Sequence, residues 1–221
     1  MKYILVSSPL SIENEPAIIK QAISLGIEAF HLRKHGWGFE EVQNFLSHFN
    51  DEELSKIAVH GSLDWPMMIG LKRAHFKDSL RFIENQPTIF RDAASQLREE
   101  IDSVVLSRSF HSLDDLEDQA ESYDISFLSP IFNSISKEGY DSGFEDSYEE
   151  LSRRIKALSQ KLSGSLQVAP QLYALGGISQ ETIPRAYEMG FNGVATLGSV
   201  WGAFDPMKEL EKQVELCKSL I

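Results

Sequence analysis

The chain has 221 residues, of which 42% are hydrophobic, so it can bury a large core as one barrel or as two small domains. Its formal net charge of −12 argues against nucleic acid as a partner, because a phosphate backbone needs a basic surface. The single cysteine, Cys217, excludes an internal disulfide and favours a reducing, cytoplasmic compartment. No run of about eighteen apolar residues occurs and the first apolar segment is too short for a signal peptide, so no membrane partner is expected.

Short apolar segments alternate with amphipathic segments along the chain. The apolar segments predict eight strands: Tyr3–Val6, Ala29–Arg33, Ile57–His60, Ala74–Phe76, Val104–Ser107, Ile125–Leu128, Gln171–Ala174 and Gly193–Leu197. The amphipathic segments predict helices between them, most clearly at Ile12–Leu25, Phe39–Phe49, Ser112–Ser122, Ser147–Leu162, Gln180–Met189 and Pro206–Leu220. Ser112 and Ser179 are predicted to cap two of these helices. Residues 64–70 and 85–101 fit less well, since each contains a proline.

This alternation determines the predicted architecture. Strands that alternate with helices pair in parallel through right-handed crossovers. Eight such units predict α/β architecture, a single (β/α)8 TIM barrel that spans residues 1–221. An open doubly wound sheet is the alternative.

Glycine-rich turns follow the last two predicted strands. Gly176-Gly177 ends the seventh strand, and Gly198-Ser199 ends the eighth, at the same point of each unit. In (β/α)8 barrels the loops after these two strands commonly bind a phosphate, and glycine lets the ligand approach backbone N–H groups. The pattern therefore predicts a phosphate site, although ordinary turn glycines would have the same sequence.

Basic residues cluster at the second strand. His31, Arg33 and His35 are spaced by two, so on a strand they share one face and the first two would point into the barrel. A guanidinium matches two phosphate oxygens, which favours an anion site over a buried polar pair. Four histidines lie at or near predicted strand ends (His31, His60, His75 and His111). They could converge on a metal, but without an HxH or HExxH spacing structural hydrogen bonding is the favoured interpretation.

Hydroxyl groups follow the fifth and sixth strands. Ser109 and His111 could act as nucleophile and base, but no orienting acid is evident, so a hydroxyl that donates to a ligand is favoured. Ser134, Ser136 and Lys137 place two hydroxyls and an ammonium within four residues, which suits an anion-binding loop or a solvated turn.

Taken together, these motifs resemble the thiamine phosphate synthase family, including its thiazole tautomerase branch. The family's Ser-x-His, Gly-Pro-Ile-Phe-x-Thr-x-Thr-Lys and Gly-Gly-Ile motifs are similar to 109–111, 129–137 and 176–178 here. Arg33 matches the arginine of the family's second strand, and Lys34 stands beside the position of its lysine. The resemblance implies a (β/α)8 barrel and a homodimer. It also implies thiazole phosphate contacts for Ser134, Ser136, Gly177, Leu197, Gly198 and Ser199, and a diphosphate contact for Lys137.

The sequence departs from the family at the third and fourth strands. There the family carries the two aspartates that hold Mg²⁺, whereas this chain has His60-Gly61 and Asp78-Ser79-Leu80. Asp78, two residues out of register, is the remaining candidate metal ligand. Neither glycine nor leucine offers the oxygen that magnesium prefers.

Three functions follow from the resemblance. The first is a synthase that joins hydroxymethylpyrimidine diphosphate to thiazole phosphate, with Arg33, Lys34, Lys137, His31 and His35 around the leaving diphosphate. The second is a thiazole tautomerase, although the family's catalytic histidine falls at Pro130 here. The third is a barrel that binds a phosphorylated ligand without turnover.

Overall fold

Eight parallel strands form a closed barrel in which each strand pairs with its neighbours in sequence and the last pairs with the first. This computed structural model describes residues 1–77, 86–133, 144, 147–165 and 169–220, with the side chains at 86, 87 and 165 excepted. The strands are β1 (Lys2–Val6), β2 (Ala29–Leu32), β3 (Ile57–Val59), β4 (Arg73–Phe76), β5 (Val105–Phe110), β6 (Ile125–Leu128), β7 (Gln171–Leu175) and β8 (Gly193–Thr196). The predicted (β/α)8 TIM barrel is confirmed, and the open sheet is excluded.

Helices connect the strands on the outside of the barrel. They are α1 (Glu15–Ser24), α2 (Phe39–Leu46), α3 (Asp51–Leu54), α4 (Trp65–Ile69), α5 (Gln86–Glu100), α6 (Leu113–Gln119), α7 (Tyr148–Ser165), α8 (Ile183–Glu188), α9 (Gly198–Trp201) and α10 (Pro206–Ser219). The two segments that fitted the repeat poorly are α4 and α5. Their prolines lie in the first turn, where a missing backbone N–H breaks no helical hydrogen bond. No helix in the described ranges combines the length and the apolar character that crossing a membrane requires.

Alternate side chains of the strands face two different cores. One set fills the barrel, with Ile4 and Val6 of β1 packed against Phe127 and Tyr173. The other set packs outward against the helices, in a core to which the buried Cys217 of α10 also belongs. Tyr173 fills the barrel's lower part because β8 begins with Gly193, where a Cβ would lie 2.2 Å from the tyrosine ring. Apolar side chains thus fill the barrel toward the amino ends of the strands, and polar groups lie at the carboxyl ends.

The register of the strands brings polar residues together at their carboxyl ends. Val59 of β3 lies opposite Ala74 of β4, so the next residues, His60 and His75, are neighbours. On the other side of the barrel Leu175 of β7 lies opposite Ala195 of β8, just before the two glycine-rich turns. The carboxyl ends of the strands are where (β/α)8 enzymes place their active sites.

Candidate functional site

Three imidazoles meet at the carboxyl ends of β2, β3 and β4. Nδ1 of His31 lies 2.9 Å from Nε2 of His60. The rings of His60 and His75 stack with centroids 3.7 Å apart, and His31 meets both rings edge-on. The three side chains, here called the histidine trio, each offer one nitrogen within 4.8 Å of the others. His31 and His75 are buried, and His60 is half-buried.

Two serines of β5 determine the tautomer of His75. The Ser107 hydroxyl donates to the carbonyl oxygen of Ala74 at 3.0 Å, so its only proton is used there. Ser107 must then accept from Nδ1–H of His75, which lies 3.0 Å away. Nε2 of a neutral His75 is therefore unprotonated, and it accepts a hydrogen bond from the Ser109 hydroxyl at 3.2 Å.

Burial keeps the whole trio neutral. It lowers the pKa of His31 to about 3, and the Arg73 charge acts in the same direction. Burial also lowers the pKa of His60 and of His75 well below the usual value, with help from the neighbouring histidines and from Arg33 and Lys77. Neutral imidazoles have lone pairs for a cation or for a hydroxyl donor, but they offer no charge to an anion.

Two cations lie beside the trio and supply that charge. Arg33, exposed just after β2, and Lys77, just after β4, both lower the pKa of His60 and His75. Burial lowers the pKa of Lys77, and the charge of Arg33 lowers it further. In the described part of the chain neither side chain has an ion-pair partner. Two cations that act on each other, with no carboxylate paired to either among the described residues, attract an anion.

Sequence reasoning predicted Arg33 and missed Lys77. The available signal was the position of Lys77, directly after the fourth predicted strand, where side chains reach the rim of a barrel.

The other two basic residues after β2 do not share this role. The ammonium of Lys34 donates to both oxygens of Glu15, at 2.6 and 2.9 Å, and to the carbonyl of Leu10 at 2.8 Å. Both charged side chains of this ion pair are buried, so Lys34 does not offer the free cation that the sequence analysis expected. His35 is exposed to solvent.

The two glycine-rich turns lie side by side, as predicted. Because β7 and β8 pair in register, Gly176–Gly177 and Gly198–Ser199 follow neighbouring strand ends. We call these two segments the paired turns. Among the described residues, the backbone amides of Gly177, Gly198 and Ser199 have no hydrogen-bond acceptor. Leu197 packs against the barrel interior, and its carbonyl accepts hydrogen bonds from the first turn of α9.

The turn after β7 needs glycine at Gly176 and Gly177 for the packing of the fold, whether or not a ligand binds there. Gly176 and Gly177 have φ of 90° and 65°, in the left-handed region. A Cβ on Gly177 would lie 2.5 Å from the carbonyl oxygen of Asn133 and 2.6 Å from that of Phe132. The segment after β6 therefore packs directly on this turn, and the amide of Phe132 donates to the Gly176 carbonyl.

A chain of hydrogen bonds positions Ser199. Its hydroxyl oxygen accepts from the side-chain amide of Gln213 at 3.2 Å, and that amide also donates to Glu209 at 2.7 Å. The other end of Gln213 accepts from the Tyr3 hydroxyl at 2.9 Å, and Tyr3 in turn contacts Thr196. No acceptor among the described residues takes the proton of the Ser199 hydroxyl, so that proton is available for a ligand. No pattern in the sequence indicated Gln213 as its partner.

Other predicted residues lie elsewhere. His111 is exposed and its Nδ1 donates to the carbonyl of Ser129 at 2.8 Å, so it pairs with neither Ser109 nor the trio. Ser134, Ser136, Lys137 and Asp78 lie outside the described residues.

The described residues do not fit the magnesium ion that the resemblance implied. Mg²⁺ prefers oxygen ligands. At the ends of β3 and β4 the donors are imidazole nitrogens, and no carboxylate of the described residues joins them. The charged groups that shift the pKa values of the trio are all cations.

Comparisons of the whole chain place this barrel among known folds. No family model matches the sequence, and no curated protein sequence matches it. Thiamine phosphate pyrophosphorylase from Bacteroides thetaiotaomicron is similar in structure, with a TM-score of 0.71 at 22% identity over 99% of this chain and 98% of the other. The enzyme of that name from Pyrococcus furiosus has a TM-score of 0.71 at 16% identity, over 100% and 96% of the two chains.

Structures with other names are similar too. The 3-hexulose-6-phosphate synthase of Salmonella typhimurium has a TM-score of 0.62 at 13% identity, with complete coverage of both chains (100% and 100%). At these identities the likeness establishes the fold. The resemblance drawn from the motifs is confirmed at that level, since two of the similar structures are thiamine phosphate pyrophosphorylases.

Proposed function

We propose that this protein is an enzyme of the thiamine phosphate synthase type, which joins hydroxymethylpyrimidine diphosphate to thiazole phosphate and releases diphosphate. The observation that carries the proposal is the pair of turns after β7 and β8, whose amides at Gly177, Gly198 and Ser199 bond to no described residue. The full-length likeness to two thiamine phosphate pyrophosphorylases supports it. The family resemblance adds the expectation of a homodimer.

The paired turns would bind the thiazole phosphate. Amides that converge from two neighbouring strand ends supply donors to phosphate oxygens without the cost of ordering long side chains. The Ser199 hydroxyl, whose oxygen is held by Gln213, adds a donor of fixed position. The resemblance assigns Ser134 and Ser136 to the same phosphate.

The diphosphate would lie across the mouth of the barrel, between Arg33 and Lys77. Both cations lack an ion-pair partner among the described residues, so an anion there gains their attraction without breaking an existing pair. The resemblance adds Lys137 to this group. The neutral rings of the histidine trio, which lie near both cations, would form the floor of the site.

The reaction is a substitution at the methylene carbon of the pyrimidine. The carbon–oxygen bond breaks, and the diphosphate leaves with the bonding electron pair. The resulting carbocation is captured by the thiazole nitrogen, which the paired turns hold in place. Arg33 and Lys77 stabilise the charge that develops on the leaving oxygens, and binding of both substrates supplies the positioning. The substitution uses no nucleophile from the protein, so in this proposal Ser109, which donates to His75, serves as a polar wall of the site.

A turnover assay tests the proposal. Purified protein is incubated with both substrates, with each alone, and with or without added Mg²⁺ or Zn²⁺, while released diphosphate and the coupled product are measured. Diphosphate released only when both substrates are present is the expected result. Thiazole phosphate that neither binds nor reacts would contradict the proposal.

A binding barrel without turnover is the second candidate. It is favoured by the imidazoles that stand where the resemblance places metal carboxylates. Tight binding of thiazole phosphate, with no coupled product in the presence of any added metal ion, would favour the binding barrel. Proton exchange on a thiazole carboxylate phosphate would instead indicate the tautomerase.

A further inference from the structure

The histidine trio is a group of potential metal ligands that the reaction above does not use. Within the part of the chain that the structure describes, it is the one group of three or more histidine, cysteine or acidic residues with ligand atoms close enough for a common ion. Its members come from three adjacent strands of a closed barrel. Rigid strand ends preorganise ligands better than loops do.

The distances suit a small ion. Zinc bonds to histidine nitrogen at about 2.0–2.1 Å, so tetrahedral ligand nitrogens lie about 3.3 Å from one another. The facing nitrogens of His31 and His60 are 2.9 Å apart, and the three ligand nitrogens of the trio all lie within 4.8 Å of one another. Rotation of the side chains would bring the three nitrogens to tetrahedral spacing. The stacked rings of His60 and His75 already place those two side by side.

The hydrogen bonds around the trio have the arrangement of a metal site. A histidine ligand commonly donates its second N–H to a neighbouring oxygen, which fixes the tautomer and the orientation of the ring. Nδ1–H of His75 donates to Ser107, which is itself held by the Ala74 carbonyl, so Nε2 is the nitrogen left with a lone pair for an ion. The Ser109 hydroxyl now bonded to that Nε2 would turn away when an ion binds.

The surrounding charges determine what else the ion would bind. The trio contributes three neutral ligands, so a divalent ion keeps its full charge. Arg33 and Lys77 lie close enough to lower the pKa of His60 and His75, so they add positive charge. An anionic oxygen ligand in the fourth position would offset this repulsion, and half-buried His60 marks the open side from which it would enter.

We propose that His31, His60 and His75 form a site for a zinc-class transition-metal ion, with the fourth coordination position open to an anionic oxygen ligand. Three imidazoles with an open position suit Zn²⁺, and Co²⁺ in its place, and they do not suit Mg²⁺. The site stands independently of the reaction proposed above, since it requires neither thiazole nor pyrimidine.

Metal binding to the full-length protein, purified without a histidine tag, tests the site. After treatment with chelator, the protein is titrated with ZnCl₂ by calorimetry and with CoCl₂ by visible absorption. We expect one zinc per chain, the absorption bands of four-coordinate cobalt, and no displacement of zinc by excess Mg²⁺. Zinc binding below one per chain without cobalt bands, or displacement by Mg²⁺, would overturn the proposal.

Variants locate the ion. His60→Ala should lower zinc affinity at least 100-fold. The control, His48→Ala, removes an exposed histidine between α2 and α3 and should leave zinc affinity unchanged. His60 is chosen because its imidazole bonds only to His31 among the described residues, so the loss should leave the barrel folded. Equal affinity in both variants overturns the assignment. If His60→Ala does not fold, the cobalt spectrum of the wild-type protein still tests the proposal, because the absence of four-coordinate bands would overturn it.

Discussion

Ser109 donates its hydroxyl proton to Nε2 of His75 across 3.2 Å, from one barrel strand to the next. The sequence placed Ser109 next to His111 instead, only two residues away. On β5 these two residues diverge, because His111 lies beyond the strand and bonds to the Ser129 carbonyl. The imidazole that Ser109 contacts is therefore that of His75, and in the proposed reaction, which uses no nucleophile from the protein, Ser109 lines the site.

Ser109→Ala tests whether Ser109 lines the site or acts as a nucleophile. The hydroxyl forms no bond to substrate in the proposed reaction, so diphosphate release should fall by less than about tenfold. Removal of a true nucleophile would cost on the order of 10⁴-fold or more. Steady-state kinetics of the variant separate the two, and a loss of the larger size would return Ser109 to a covalent role.

Arg33→Ala and Lys77→Ala should each weaken binding of inorganic diphosphate by about 10- to 100-fold, the worth of one charge-assisted hydrogen bond. Isothermal titration measures the change. Arg91→Ala is the matched control, because the Arg91 side chain on α5 is 71% exposed and, among the described residues, forms an ion pair only with its neighbour Asp92. Affinity that drops equally in all three variants would reflect net charge alone, and would contradict a localised site.

Lys34 is predicted to support the fold and not the ligand. Burial raises the pKa of Glu15, while the hydrogen bond and the charge of Lys34 oppose that shift. Lys34→Met removes the opposing effects, so the ionised carboxylate becomes uncompensated and about 3–5 kcal/mol of unfolding free energy is lost at neutral pH.

The pH dependence of that loss has a defined sign. A carboxyl whose folded pKa is raised costs stability as pH rises from 4.5 through the folded pKa, because the unfolded chain releases its proton first. Urea unfolding of Lys34→Met should therefore show a smaller deficit below pH 4.5 than at neutral pH. The double variant Glu15→Gln/Lys34→Met should recover most of the stability and keep diphosphate affinity. Lost affinity in the double variant would return Lys34 to the binding site.

Gly177→Ala and Gly26→Ala form a matched pair. Both positions have φ in the left-handed region, which costs alanine about 1–2 kcal/mol. A Cβ at Gly26 meets nothing within 4 Å, whereas at Gly177 it meets two carbonyl oxygens. Gly177→Ala should therefore lose a further 1–3 kcal/mol, roughly, from overpacking. Equal losses in urea unfolding would show that the segment after β6 does not press on this turn.

The barrel could be predicted from the sequence because each strand is buried between two cores. Such strands appear in the sequence as short apolar segments bounded by turns. Helix boundaries were less certain. The Ser112 side chain accepts from the Asp115 amide, as predicted, but Ser179 precedes its helix by four residues and donates to Glu181 instead. A capping residue and a turn residue have the same local chemistry, so the sequence does not distinguish them.

The site was less predictable than the fold for a geometric reason. His31, His60 and His75 are far apart in the chain, and only strand register shows that His60 and His75 meet. The spacing rules for metal motifs detect ligands on one element, so they miss ligands contributed by three strands. Lys34 and Arg33 are adjacent in sequence, but only the packing of Glu15 shows which of them carries a free charge.

A crystal structure with thiazole phosphate bound tests the central claim most directly. The phosphate should lie within hydrogen-bonding distance of the amides of Gly177, Gly198 and Ser199, with the Ser199 hydroxyl as a further donor. A phosphate found instead between Arg33 and Lys77, or paired turns that remain closed to it, would contradict the account.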